Sequence, residues 1–223
     1  MISLKNITIG IENNIILKDV SLAFGQGSFN LIIGHNGSGK SSLCRYLLGD
    51  PEYKKVSGAA HFEGIDLETL DMVERAQKGL FVVQQEHIEI PGLPVSTFLK
   101  AAYESLVGPI DDIVSFFNHV KKLCDFVGLD HSFIERSVNE GFSGGQKKRF
   151  EMVQLLLFKP SYIILDEIDS GLDEQGCIVL IKMMKSIIVE KPSVCFVVIS
   201  HRPDLFACFE HKIVYRLSKG SII

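Results

Sequence analysis

Tryptophan is absent from this sequence of 223 residues, and cysteine is scarce. Cys44, Cys124, Cys177, Cys195 and Cys208 form no C-x-x-C pair and lie in otherwise apolar segments. That pattern excludes a disulfide framework or a cysteine metal site, and it fits small buried hydrophobes in a reducing compartment. No Lys/Arg run of the kind that binds polyanions occurs, and 23 basic against 27 acidic residues leave a net charge of -4. Nucleic acid is therefore not expected as the primary ligand, because phosphate-backbone affinity needs clustered basic side chains. Long hydrophobic runs are missing too, although mean hydropathy is +0.22. Ile178–Val189 is broken by Lys182 and Lys185, and Val194–Ile199 is short, whereas a spanning helix needs about 20 uncharged residues. Met1–Asn6 lacks a signal-peptide pattern. A cytoplasmic chain with one large domain and a sizeable core is expected.

What is present reads as strands first. Ile2–Leu4 and Ile7–Ile11 alternate, Ile15–Leu17 and Val20–Phe24 follow, and Phe29–Ile33 is apolar on both faces like a buried central strand. A helix carrying Leu43, Leu47 and Leu48 closes at Gly49. From about residue 92 to 142 the character is helical. Asp111 is the expected cap of a helix whose apolar positions Ile113, Phe116, Phe117, Val120, Leu123, Cys124 and Val127 have helical spacing. After Ser143 helices and strands alternate: a helix over 144–158, strand Tyr162–Leu165, a helix over 174–189, strand Val194–Ile199, and Ile213–Leu217. Such alternation predicts an α/β fold with a mostly parallel, doubly wound sheet.

Between the strand at Phe29–Ile33 and its helix lies Gly34-His35-Asn36-Gly37-Ser38-Gly39-Lys40-Ser41, followed by Ser42. It matches G-x-x-x-x-G-K-[ST] in the required strand–loop–helix context. Backbone N–H groups of such a loop wrap phosphates, and the helix start adds its dipole. Lys40 is expected to meet the β and γ phosphates, and Ser41 to ligate Mg²⁺. Asp166, closing strand Tyr162–Leu165, is a second Mg²⁺ ligand at the strand end, where ligands bind in such sheets. Glu167 is placed to polarise a water attacking the γ-phosphate.

Phe142-Ser143-Gly144-Gly145-Gln146 supplies a second phosphate-binding helix start, with Ser143 as N-cap and Gln146 as its capping-box partner. This segment resembles the signature motif of ATP-binding-cassette ATPases. The resemblance implies a P-loop core with a mostly parallel sheet, an N-terminal antiparallel β region, and a helical subdomain inserted over about residues 86–142. By the same resemblance Gln85, with Gln84 as competing assignment, is the Q-loop glutamine that senses Mg²⁺ and the attacking water. Ser170-Gly171-Leu172-Asp173 is similar to the D-loop, and His201 to the switch histidine that bonds the γ-phosphate. ATP is then held between two copies, with Ser143, Gly144, Gly145 and Gln146 acting in trans.

Further segments resemble the SufC-type ATPases of the SUF iron-sulfur assembly system: Gly49–Tyr53, Val56–Gly58, Glu89-Ile90-Pro91-Gly92, Ser137–Phe142, Lys147-Lys148-Arg149 and Asp169–Asp173. That resemblance implies soluble SufB- and SufD-like scaffold partners, gripped beside the Q-loop. It also implies a regulatory role for Lys148, holding Glu167 until two copies close, with Asp169 and Asp173 in the same network. The transport alternative is the nucleotide-binding subunit of an ABC transporter. His35 and Ser42 stand where the family often has Pro and Thr, Gln146 where SufC proteins often have Glu, and Ile11 where an aromatic often stacks on adenine.

Overall fold

Apolar alternation in the first residues builds two long antiparallel strands, β1 (Ile2–Ile11) and β2 (Asn14–Phe24). Each is a single element where the sequence suggested two. Asn6 and Asp19 take left-handed backbone angles (φ 48 and 53), shift the register, and restore the inward parity of the apolar residues beyond them. Asn and Asp tolerate that region best among residues with side chains, and Asn6 Nδ2 donates to Asp19 Oδ1 at 2.8 Å across the bulge.

The computed structural model describes residues 1–223. In chain order the remaining elements are β3 (Phe29–Ile33), α1 (Lys40–Leu48), β4 (Tyr53–Phe62), β5 (Ile65–Asp66), α2 (Met72–Gln77), β6 (Leu80–Val83), β7 (Ile90–Pro94), α3 (Val95–Leu106) and α4 (Ile113–Val127). They are followed by β8 (Ser137–Val138), α5 (Gly144–Phe158), β9 (Tyr162–Asp166), α6 (Glu174–Glu190), β10 (Cys195–Ile199), β11 (Lys212–Ser218) and β12 (Ser221–Ile222). No helix is long and apolar enough to cross a membrane. The chain divides into two units, one comprising Met1–Gln84, Ser161–Ile168 and Lys191–Ile223, the other Gln85–Pro160 and Asp169–Glu190.

The first unit holds an antiparallel sheet, ordered β2-β1-β4-β5, and a six-stranded sheet, ordered β12-β11-β3-β10-β9-β6. Every pairing in the second sheet is parallel except β11 with β12, as the alternating pattern predicts. Ile7, Val20, Phe24 and Phe62 from the first sheet share one core with Leu43, Tyr46 and Leu47 of α1 and with Tyr162, Ile164 and Val197. β9 and β10 are buried along their whole length, which accounts for the high mean hydropathy. Arg75 of α2 is also buried. Its guanidinium donates to four carbonyls: Leu70 at 3.0 Å, Tyr46 at 2.8 Å, Leu47 at 2.9 Å and Leu67 at 2.6 Å. Two of these belong to the last turn of α1, where carbonyls have no partner within the helix.

The second unit is larger than the 86–142 expected for a helical insert. α5 packs against α4 and α6, and Phe150 on α5 meets Phe98 and Phe142 at 6.1 and 6.2 Å between ring centroids. The apolar face of α5 therefore draws residues beyond 142 into this unit. The cap of α4 also differs: Asp112, rather than Asp111, accepts from Val114 N at 2.9 Å. Its side chain also bonds Ser115 Oγ, a contact that the preceding residue would be out of phase to make.

Candidate phosphate-binding site and signature segment

The register of the parallel sheet sets the site in the first unit. Ile199 pairs with both Ile32 and Asp166, so the loop after β3, the acidic end of β9 and the turn after β10 emerge at one sheet edge. That edge is the C-terminal end of the strands, where open α/β sheets bind ligands.

The loop from Gly34 to Gly39 is shaped by close contacts. A Cβ on Gly34 would lie 2.3 Å from the Leu217 carbonyl oxygen, so only glycine fits between the loop and β11. Gly39 has φ 104 and delivers the chain into α1. Lys40 is buried, and its Nζ donates to the carbonyls of Gly34 (2.9 Å) and His35 (3.1 Å), which holds the ammonium inside the loop. Ser38 Oγ is buried without a hydrogen-bond partner. A positive charge, a helix start and an unsatisfied hydroxyl thus converge, as a phosphate requires. His35 lies with Ser200, His201 and Arg216 on the wall of a cavity of about 320 Å³ beside the loop.

Asp166 is buried at the end of β9. Burial pushes its carboxyl up, the neighbouring Glu167 charge adds to that, and a hydrogen bond from Ser41 with the charges of Lys40 and Arg45 opposes it. Its Oδ1 atom has no hydrogen-bond partner. A hydroxyl and a carboxylate with an open oxygen are the hard donors Mg²⁺ prefers, and that ion usually takes only one or two protein ligands beside water and phosphate. Ser41 and Asp166 therefore fit Mg²⁺. Glu167 has φ 54, fixed by its N–H to Ile199 O at 3.1 Å, and its Oε1 is 2.9 Å from His201 Nε2. Of the sequence-derived residues, Gly34 to Ser42, Asp166, Glu167 and His201 all belong to this unit.

The second unit carries the others. Gln85 is exposed just after β6, while the alternative Gln84, half-buried, closes the first unit. Ser143 caps α5 as expected: its Oγ accepts from Gln146 N at 3.3 Å and its N–H donates to Gln146 Oε1 at 2.9 Å. Gly144 and Gly145 have open space where a Cβ would stand, which leaves their backbone approachable. Lys148 Nζ donates to the Ser170 carbonyl, Asp169 is buried, and Asp173 Oδ1 accepts from Gly176 N at 2.7 Å at the start of α6. Sequence reasoning missed Arg136, whose guanidinium lies 4.7 Å from the ring centroids of both Phe133 and Phe142 and donates to Gly141 O at 3.1 Å. It also missed the half-buried His87 and Glu151. His87 and Glu151 have no local pattern, because they come from separate segments of the chain.

Three comparisons bear on this arrangement. A family profile described as ABC transporter matches residues 17–170. The chain is 41% identical, over 78% of its length and 69% of the relative's, to the "Probable ATP-dependent transporter slr0075" of Synechocystis. It is 36% identical, over 100% of its length and 90% of the relative's, to the "Probable ATP-dependent transporter ycf16" of Trieres chinensis. Its fold is similar, with a TM-score of 0.82 at 24% identity and 96% of that chain covered, to a dimeric post-hydrolysis state of the ATP-binding cassette MJ0796 bound to ADP and Pi.

Proposed function

Since the chain belongs to the ATP-binding-cassette family, ATPases that bind ATP with Mg²⁺ and hydrolyse it, we propose that it is the ATPase subunit of a SufBCD-type complex. In this reading two copies close around ATP and the closure rearranges a soluble scaffold for iron-sulfur cluster assembly.

Lys40 and the loop amides bind the phosphates, Ser41 and Asp166 hold Mg²⁺, and Gln85 reports on the ion and the attacking water. Held by Ser41 and Asp166, Mg²⁺ would supply positive charge to neutralise what develops on the phosphates. Glu167 accepts a proton from that water, and His201 orients the Glu167 carboxylate and bonds the γ-phosphate. Ser143 and Gly145 of the second copy complete the electrostatic shell. Hydrolysis therefore depends on two chains. Lys148 restrains Glu167 in the resting subunit, with Asp169 and Asp173 in the same network; the Ser170 carbonyl is one of the contacts Lys148 makes within its own unit.

The observation that carries the choice of partner is the Glu89-Ile90-Pro91-Gly92 segment beside Gln85. It has the SufC-like sequence and is exposed along β7, and next to it Ile88 is 77% exposed. With Ile90, also exposed, it makes a small apolar surface of the kind a protein partner covers. The relatives are named probable ATP-dependent transporters, so the second reading is the nucleotide-binding subunit of an ABC transporter. Affinity purification of the tagged chain from its native cells tests this. Recovery with soluble SufB- or SufD-like subunits is expected, and recovery with integral membrane subunits would overturn the SUF assignment.

A further inference from the structure

Two titratable side chains in the second unit, both largely withdrawn from solvent, have no part in the roles above. His87 follows Gln85 by two residues, and Glu151 sits on α5, the helix that begins at the signature serine. Their side chains are 10% and 14% exposed, and His87 Nε2 lies 3.3 Å from Glu151 Oε1. Burial pushes the Glu151 carboxyl up, while His87 and the Lys148 charge pull it down. Glu151 Oε2 and His87 Nε2 are both buried without a hydrogen-bond partner, so the pair meets as charges.

Such a pair is a poor way to gain stability. Packed apolar residues of the same volume commonly do as well or better, whereas the best-attested use of a buried polar pair is to fix register. The surroundings show which register is at stake. Lys147 Nζ donates to Glu89 Oε1 at 2.7 Å, Asn139 Nδ2 to Ile88 O at 2.8 Å, and Gly92 N to Ser137 Oγ at 3.1 Å. All of these bind the stretch after Gln85 to the stretch around Ser143. They are exposed contacts of the kind worth little individually, and His87–Glu151 is the buried contact among them.

We infer that His87 and Glu151 are positioning residues: their contact locks the segment carrying Gln85 to the start of α5, so that Gln85 and the signature residues Ser143 and Gly145 move as one piece. By the roles given above, Gln85 serves the nucleotide of its own chain and Ser143 that of the second copy, so the pair links the two sites of the ATP-bound dimer. This rests on the roles given to Gln85 and Ser143 above, and not on the identity of the scaffold.

The test is steady-state turnover against ATP concentration, with thermal midpoints, for Glu151→Gln, His87→Leu and the double variant His87→Leu/Glu151→Leu. Loss of register should lower kcat by roughly tenfold, as small misplacements of catalytic groups do, with KM for ATP nearly unchanged and the Hill coefficient reduced. In the double variant two apolar side chains should restore the thermal midpoint without restoring kcat. Wild-type kcat in the double variant would overturn the inference, since a merely structural pair is replaceable by packing. Gln85→Ala and Ser143→Arg serve as controls. If they lose turnover while the double variant keeps it, the inference alone falls; if they too turn over at the wild-type rate, the site assignment falls and takes the inference with it.

Discussion

Glu167 occupies a left-handed conformation that costs a residue with a side chain about 1–2 kcal/mol. β10 holds it there through Ile199 O, and His201 takes its carboxylate. Strain retained next to bound phosphates is characteristic of a residue whose direction matters. Glu167→Gln keeps the backbone and the side-chain shape but removes the proton acceptor. Turnover should fall by about 10²–10⁴, while ATP affinity and the thermal midpoint stay near wild type; substantial residual hydrolysis would remove Glu167 from the base role. The residues of this site were legible in the sequence because each sits at a fixed offset from a strand end or helix start: Gly34 after β3, Ser41 in the first turn of α1, Asp166 at the end of β9. What could not be read was the inward fold of Lys40 onto the Gly34 and His35 carbonyls, or the orphaned oxygens of Ser38 and Asp166, since those depend on three-dimensional closure.

At the scale of elements, helices with explicit start signals were foreseeable and those without were not. α5 has its Ser143–Gln146 box and was placed to the residue, and α4 was placed with its cap displaced by one. α3 begins after Pro94 with no side-chain cap, and β4 carries Gly58 in its middle, so neither announces itself locally. β4 exists because β1 pairs with it over most of its length. Arg75 is the corresponding lesson for α1, whose C-terminal carbonyls are closed by a guanidinium from a different helix. Arg75→Met should leave four buried carbonyls with one partner fewer and destabilise the protein by about 3 kcal/mol or more. Differential scanning calorimetry would then show a midpoint lower by roughly 6 °C or more. A shift within about 1 °C would mean that water or relaxation replaces those bonds.

At the scale of the whole molecule, alternation along the chain disclosed the parallel sheet but not its strand order. The order matters because β3 lies between β11 and β10, and β10 lies beside β9, which brings the Gly34–Ser42 loop, Asp166 and His201 to one edge. The extent of the second unit was likewise hidden, because the aromatic packing that recruits α5 joins segments distant in sequence. In the proposed reading Gly34–Ser42 of one copy and Ser143–Gly145 of another share one ATP, so that two copies meet around the nucleotide. The most direct measurement is the solution mass of the Glu167→Gln protein by analytical ultracentrifugation, with and without ATP and Mg²⁺. The account predicts a 24.8 kDa species that doubles in mass on adding both, and that fails to double when Ser143→Arg is added. A mass that stays single with ATP and Mg²⁺, or a doubling indifferent to Ser143→Arg, would contradict it.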